Sequence, residues 1–588
     1  MCGICGEIRM RGEPSIAALK TIAGAMHKRG PDAEGLFAQG TMAFGHRRLS
    51  ILDLAAASQQ PMIDSELGLG IVFNGCIYNF RELKDELTRR GYRFFSQGDT
   101  EVILKSYHAW GADCVSRFKG MFAFALWERD SDRVVLARDR LGIKPLYYVD
   151  GPDSFRFASD LPALLAGGGV DTSLDPVGLH HFFSFHAAVP PPRTILRGVK
   201  KLEPASILTL EPDGSRTTRR YWRFTVGSAV DRVMTEQEWS EAVTDAMLTA
   251  VDRRRVADVP VGVLLSGGLD SSLIVALLAK LGHSDVKTFA IGFDSVGGQS
   301  GDEFYYSDLV AKHFSSTHEQ IRIDGREALQ HLPDAIRAMS EPMVSHDAVA
   351  FYLLSREVAK RVTVVQSGQG ADEVFGGYSW YPSLLTANNA ADQYREVYFD
   401  WKHTDISRLL TPDLLSADHS SDFVERFFDL TSASSPVDKA LQIDAEIMMV
   451  DDPVKRVDNM TMAHGLEARV PFLDHELVEL AARIPASLKL GDGGKYILKQ
   501  AARALLPAEV IDRPKGYFPV PSLRHLRGDF LDYVRDILTS PAARNRGLYR
   551  SEFIEHMLHH PEAEKSPKGH SRLWQAALLE GWLQAHAI

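Results

Sequence analysis

The run Val261-Gly-Val-Leu-Leu265-Ser266-Gly267-Gly268-Leu269-Asp270-Ser271-Ser272 constrains this chain more than any other. It reads as a buried strand, a glycine turn and the start of an apolar helix. A strand that passes straight into a helix is the unit from which parallel sheets are built. The turn also carries chemistry. Glycines let backbone N–H groups approach an anion closely, and the helix that follows points its positive end at it. Ser266, Ser271 and Ser272 add hydroxyl donors. No Gly-Lys-Ser/Thr follows, so this is not a Walker A loop. Asp270 adds a carboxylate that a bare anion site would avoid and a Mg²⁺–polyphosphate site would use. Taken alone, the run also fits an ordinary tight turn between strand and helix.

The neighbourhood agrees with an α/β reading. From about residue 240, helical patterns alternate with β-branched runs at Val259–Leu265, Lys287–Gly292 and Val362–Gln366. A second loop, Ser367-Gly368-Gln369-Gly370-Ala371-Asp372-Glu373-Val374-Phe375-Gly376-Gly377-Tyr378, follows the last of these. Ligands of open α/β sheets gather at the carboxyl ends of strands. The two loops therefore share one crevice in this reading, with Asp270 and Asp372 holding Mg²⁺. Asp372 or Glu373 as a plain helix cap is the alternative. After about residue 385 the pattern is almost entirely helical.

The first 210 residues differ. Short strand-like runs occur at Leu69–Phe73, Phe122–Trp127, Arg133–Ala137 and Phe155–Ser159. One helix is clear at Asn79–Arg90, with Phe80, Leu83 and Leu87 on one face and Gly91 at its end. This predicts an α+β layered domain over 2–210, a linker over 211–239 and an α/β domain over 240–588. At the start stands Met1-Cys2-Gly3-Ile4-Cys5-Gly6. Removal of Met1 would give Cys2 a free α-amine, with a pKa near ~7.7–8.0. A terminal nucleophile uses that amine as its own base. A Cys2-x-x-Cys5 redox or metal pair is the competing reading, but no thioredoxin-like context or further paired cysteines support it.

Composition removes other classes. Sixty-six Lys+Arg against 77 Asp+Glu leave a net charge of −11, which disfavours non-specific binding to nucleic acid or anionic membrane. No apolar stretch approaches the ~18–20 residues of a membrane span, and no basic-then-apolar leader opens the chain. Four cysteines in 588 residues make no disulfide framework, which fits a reducing cytoplasm.

Together these segments resemble the asparagine synthetase family of glutamine-dependent amidotransferases over nearly the whole chain. The resemblance rests on Cys2–Gly6, Arg29-Gly-Pro-Asp32, His46-Arg-Arg-Leu-Ser50, Phe73-Asn-Gly-Cys-Ile-Tyr-Asn79 and Gly98-Asp-Thr-Glu101. It continues through Arg138-Asp-Arg-Leu-Gly-Ile-Lys-Pro-Leu-Tyr147, the two loops above, Gly465-Leu-Glu-Ala-Arg-Val-Pro-Phe-Leu-Asp474 and Lys495-Tyr-Ile-Leu-Lys499. It implies an N-terminal-nucleophile glutaminase sandwich, then a pyrophosphatase-loop synthetase domain with a helical C-terminal part. It also implies roles. Cys2 attacks the side-chain amide of glutamine; Asn74 and the Gly75 N–H form the oxyanion hole. Arg48 binds the α-carboxylate of glutamine and Asp99 its α-ammonium. Leu265–Ser272, Ile291, Ser367 and Gly368 hold ATP, Asp270 and Asp372 the Mg²⁺. Lys495 stabilises charge as an acceptor carboxylate is adenylated, and ammonia arrives through an internal tunnel. Family habit adds a homodimer. Read singly, Arg48 is a surface charge, Asn74 a turn residue and Lys495 a solvated lysine.

Two departures matter. The family usually reads Ser-Gly-Glu-Gly where this chain has Ser367-Gly368-Gln369-Gly370, and often Asn-Gly-Glu-Ile-Tyr-Asn where it has Cys76. A carboxylate near the acceptor favours an α-ammonium such as that of aspartate. The neutral Gln369 implies an acceptor with its amine blocked, and the SGQGADEVF and NGCIYN runs most resemble N-acetylglutaminylglutamine amidotransferases. Asparagine synthesis and a catalytically degenerate regulatory homologue are the other readings.

Overall fold

The computed structural model describes residues 2–227, 234–283, 285–294, 301–415, 417–513, 516, 523 and 525–588. The expected amino-terminal layers are present as two six-stranded antiparallel sheets. One runs Lys200–Lys201, Tyr147–Asp150, Ser154–Ala158, Gly3–Arg9, Met42–Arg48, Ala33–Gln39. The other runs Arg216–Arg220, Ser206–Leu210, Val134–Arg138, Gly120–Glu128, Leu69–Ile77, Met62–Asp64. Strand alternation builds the layers. Val72 faces Ile4, Phe44 and Phe157 between the sheets, while Ile71 and Phe73 face Leu83, Leu87 and Ile103 of the covering helices. Helices Ile16–Ala25 and Leu161–Ala166 cover the other outer face over Cys5 and Ala43. Each fully buried large apolar side chain contributes roughly 1.5–3 kcal/mol.

The first domain runs past its expected end. Arg216–Arg220 pairs with Ser206–Leu210 as an edge strand, so the sheet extends into the segment read as a linker from 211. Arg-Thr-Thr-Arg-Arg is largely solvent-facing and has no apolar alternation to betray a strand. Residues 228–233 of the expected linker lie outside the described residues.

The second half contains a five-stranded parallel sheet, ordered Thr317–Ile323, Lys287–Phe293, Val261–Leu264, Val364–Gln366, Glu467–Arg469. Val261–Leu264 and Val364–Gln366 are neighbours at the point where the winding reverses, so the loops after them open into one crevice, as expected. The fifth strand is the exception within the almost entirely helical stretch expected beyond residue 385. It is three residues long and carries a buried ion pair, Arg469 to Glu467, which no strand pattern signals. No helix among the described residues is long and apolar enough to cross a membrane.

The Arg138–Tyr147 motif explains how the halves join. The Asp139 carboxylate accepts backbone N–H groups of Phe122, Leu141, Ile143 and Lys144. The Arg138 guanidinium donates to the carbonyls of Gly142, Lys144 and Leu202. That loop presents Lys144 Nζ to Asp458 Oδ1 at 3.2 Å, while Arg29 Nη2 reaches Asp458 Oδ2 at 2.9 Å. Burial would raise the Asp458 carboxyl, but Arg29 and Lys144 outweigh it and hold it below its usual range. Asp458→Ala would leave two buried cations unpaired, and we expect a loss of about 3–5 kcal/mol, read as a lower denaturation midpoint. A depressed carboxyl stabilises above its unfolded pKa and loses that only as pH falls through the folded value. The penalty should therefore be constant above about pH 5 and vanish in strong acid.

Candidate active sites

The first site is a cleft of about 450 Å³ at the start of the Gly3–Arg9 strand, lined by Cys2, Arg48, Gly75, Cys76, Asp99 and others. Met1 lies outside the described residues. Cys2 is 8% exposed, and burial pushes its thiol up, so the thiol needs a base to ionise. The Cys2 nitrogen donates to Asn74 Oδ1 at 3.0 Å. This fixes the amide and leaves Asn74 Nδ2 as a buried donor with no partner among the described residues. Gly75 has φ 156°, and a Cβ there would meet the Met121 carbonyl at 2.1 Å, so only glycine fits. Asn74 and Gly75 lie on the Leu69–Ile77 strand, in register with Ala123 and Phe122.

Asp99 opens the helix Asp99–Trp110 and accepts the Ile77 N–H at 2.9 Å. Burial raises it to about 6, partly offset by that hydrogen bond. Arg48 lines the cleft, but its amino groups already donate to the carbonyls of Leu52, Asp53 and Ala55. A carboxylate reaching Arg48 shares the guanidinium with those carbonyls. Cys5 belongs to the core and makes no disulfide with Cys2. His46 is held neutral by burial, which lowers it to about 3, and sits against the Phe73 carbonyl.

Sequence reasoning missed Glu467 and Arg469, which enter this cleft from the second domain. Arg469 Nη1 donates to the carbonyls of Arg254 and Val256, and its Nε to Glu467. Its Nη2 is buried without a partner among the described residues. Burial would raise Glu467, but the charges of Arg469 and Lys144 help to hold it below its usual range. Both residues stand inside the quoted 465–474 motif; two charges in an apolar run were the available signal.

The second site is a cleft of about 750 Å³ at the carboxyl ends of Val261–Leu264, Lys287–Phe293 and Val364–Gln366. Leu265, Ser266, Gly268, Asp270, Ser271, Ile291, Ser367, Gly368, Gln369 and Asp372 all line it. Gly267, Leu269 and Ser272 do not line the cleft. Gly267 has φ 75° and packs so closely that a Cβ would lie 2.5 Å from the Ser307 nitrogen, while Ser272 is fully buried. Ser266 and Ser271 hydroxyls sit 3.1 Å apart and organise the turn before the helix Leu269–Lys280.

Lys495 bridges the two loops, with Nζ 2.6 Å from Asp270 Oδ2 and 3.0 Å from Asp372 Oδ1. Burial would lower its pKa; the two carboxylates raise it above the ordinary value. One cation thus reaches both carboxylates, and a hard all-oxygen pair of this kind fits Mg²⁺. Asp347, Glu373 and Tyr378 were not anticipated as cleft residues. Burial raises Asp347 to about 6 and Glu373 to about 7; the Tyr378 hydroxyl donates to Glu373 Oε1 at 2.5 Å. The sequence signal for Asp347 and Glu373 was indistinguishable from helix-start capping.

A buried cysteine beside an amide donor without a partner among the described residues, joined by one chain to a glycine-serine loop, fits a glutamine-hydrolysing, ATP-dependent ligase, and the comparisons show that class. A glutamine amidotransferase domain model matches residues 1–222 and an asparagine synthase model matches 242–584. The chain belongs to the asparagine synthase family. It is 31% identical over 630 aligned positions to asparagine synthetase [glutamine-hydrolyzing] 1 of Bacillus subtilis (strain 168), covering 99% of this chain and 96% of that one. It is 32% identical to a putative asparagine synthetase [glutamine-hydrolyzing] of Mycobacterium tuberculosis (strain ATCC 25618 / H37Rv), covering 100% and 97%. Among solved structures, glutamine phosphoribosylpyrophosphate amidotransferase from B. subtilis with ADP and GMP aligns with TM-score 0.29 at 16% identity, covering 54% of this chain and 65% of that one.

Cys2→Ala should abolish glutamine hydrolysis. Asn74→Ala should lower its kcat by about 10²–10³-fold with a smaller change in KM, measured as glutamate release. Asp99 must be ionised to hold an ammonium, so kcat/KM for glutamine should climb as pH rises through about 6. Asp99→Asn should flatten that limb.

Proposed function

We propose that this enzyme amidates a carboxylate on an amine-blocked acceptor, N-acetylglutaminylglutamine, through an acyl-adenylate. The observation that carries the reading is Gln369 in the ATP-side cleft, among Asp347, Asp372 and Glu373. A glutamate at 369 would add a further negative charge facing an incoming carboxylate and would favour a free α-ammonium. A glutamine instead offers one acceptor and two donors, which match the N–H and C=O groups of a peptide.

The chemistry follows from the residues in place. The Cys2 α-amine, free once Met1 is removed, takes the thiol proton, and sulfur attacks the glutamine side-chain carbonyl. Asn74 Nδ2 and the Gly75 N–H receive the developing oxyanion. The proton passes to the leaving ammonia, and water hydrolyses the thioester to glutamate. Ammonia then crosses to the second cleft. The two sites are close in the fold: the strand carrying Glu467 and Arg469 passes its Arg469 carbonyl to the Ser367 N–H at 2.8 Å. In that cleft the acceptor carboxylate attacks the α-phosphorus of ATP and pyrophosphate leaves. Mg²⁺ held by Asp270 and Asp372 would neutralise phosphate charge. Lys495 stabilises the same charge from the side. Ammonia attacks the acyl carbon, AMP departs, and Glu373, raised to about 7, accepts the proton that Gln369 cannot.

Aspartate is the second reading, favoured by the carboxylates of Asp347 and Glu373 that remain in the cleft. Pyrophosphate release from Mg-ATP and glutamine decides between them. Release with the blocked dipeptide and not with aspartate supports the proposal; release with aspartate alone overturns it. Gln369→Glu should then gain aspartate-dependent turnover.

A further inference from the structure

We propose that His180, His403 and Asp418 form a divalent transition-metal site of the zinc type, clamping the glutaminase domain to the C-terminal helices. His180 belongs to Pro176–Ser184, the last helix of the first domain. His403 opens the helix His403–Leu409, and Asp418 caps the helix His419–Leu430. The fold gives His180 partners that lie more than two hundred positions away in the sequence.

The donor geometry is that of a chelate. One ligand atom from each residue lies within 4.8 Å of the other two. His180 Nε2 is 3.1 Å from His403 Nδ1 and 3.7 Å from Asp418 Oδ1. Tetrahedral zinc with ligand bonds near 2.0–2.1 Å places neighbouring donors roughly 3.3 Å apart. The supporting groups are also in place. His180 Nδ1 is 2.8 Å from Ser420 Oγ, which turns Nε2 toward the other two ligands. The Ser421 N–H and hydroxyl hold the Asp418 carboxylate. His180 is buried while His403 and Asp418 are half-buried, so solvent reaches two of the three ligands. Two imidazoles and one carboxylate suit Zn²⁺, Co²⁺ or Ni²⁺. A second cluster, His186, Asp400 and His570, is weaker, because Lys568 Nζ already lies 3.4 Å from the Asp400 carboxylate.

The test uses the full chain, stripped with chelator and titrated with ZnCl₂ against a chromophoric competitor, then with CoCl₂ followed by visible absorption. One equivalent should bind per chain and raise the thermal midpoint. His403→Ala and Asp418→Asn should each weaken binding at least about tenfold and abolish the thermal shift. Their glutamine hydrolysis without metal should equal that of the parent, showing that they fold; Asp418→Asn keeps the helix cap. Absence of stoichiometric binding would overturn the proposal and leave a hydrogen bond between two imidazoles. Binding unchanged in both variants would overturn it too, placing the ion elsewhere.

Discussion

The buried pair Glu467–Arg469 is the contact on which both halves of this molecule depend. The two residues are 1% and 0% exposed, on a strand three residues long. Charges so deeply buried cost several kcal/mol each unless their donors are satisfied. Here Arg469 spends its Nε on Glu467 and its Nη1 on the carbonyls that end the helix Glu236–Arg253. Glu467 N–H bonds to the Thr363 carbonyl, and the Arg469 carbonyl to Ser367 N–H. The same three residues therefore close the cysteine cleft, finish the parallel sheet and position the loop carrying Gln369. Arg469, whose Nη2 is buried without a partner among the described residues, lines the same cleft as Cys76. Arg469 is the largest charge opposing the burial that raises the Cys76 thiol.

The two clefts solve opposite electrostatic problems. In the first, a thiol that must ionise is buried, which works against ionisation. In the proposed mechanism the α-amine of the same residue supplies the base. In the second, Asp270, Asp347, Asp372 and Glu373 crowd one crevice. Lys495 neutralises two of them, and burial drives the others toward their protonated forms. An acidic crevice that carries its own ammonium is suited to polyphosphate delivered with a divalent cation. The same crowding gives a neutral glutamine at 369 its meaning.

Much of this was legible in the sequence. The strand–glycine–helix grammar of 261–272 specified a parallel sheet and its ligand-binding edge, because backbone geometry and hydrophobic burial act locally there. Cys2 pointed to a terminal nucleophile by its position, whereas the roles expected of Asn74 and Gly75 came only from the family resemblance, since Asn74 read singly is a turn residue. The edge strand Arg216–Arg220 escaped notice because exposed arginines and threonines carry no burial pattern. Glu467–Arg469 escaped because its stability comes from one ion pair and from hydrogen bonds to residues more than two hundred positions away.

The sequence by itself determined the class of chemistry, since short local motifs resembling one family follow one another along nearly the whole chain. Only the tertiary structure decided which charges share a cleft. Asp347 and Glu373 beside Gln369, Arg469 beside Cys76, and His180 against His403 are meetings of distant segments. Such meetings are set by sheet order and helix packing, and a pairing across hundreds of residues leaves no periodicity in a single chain.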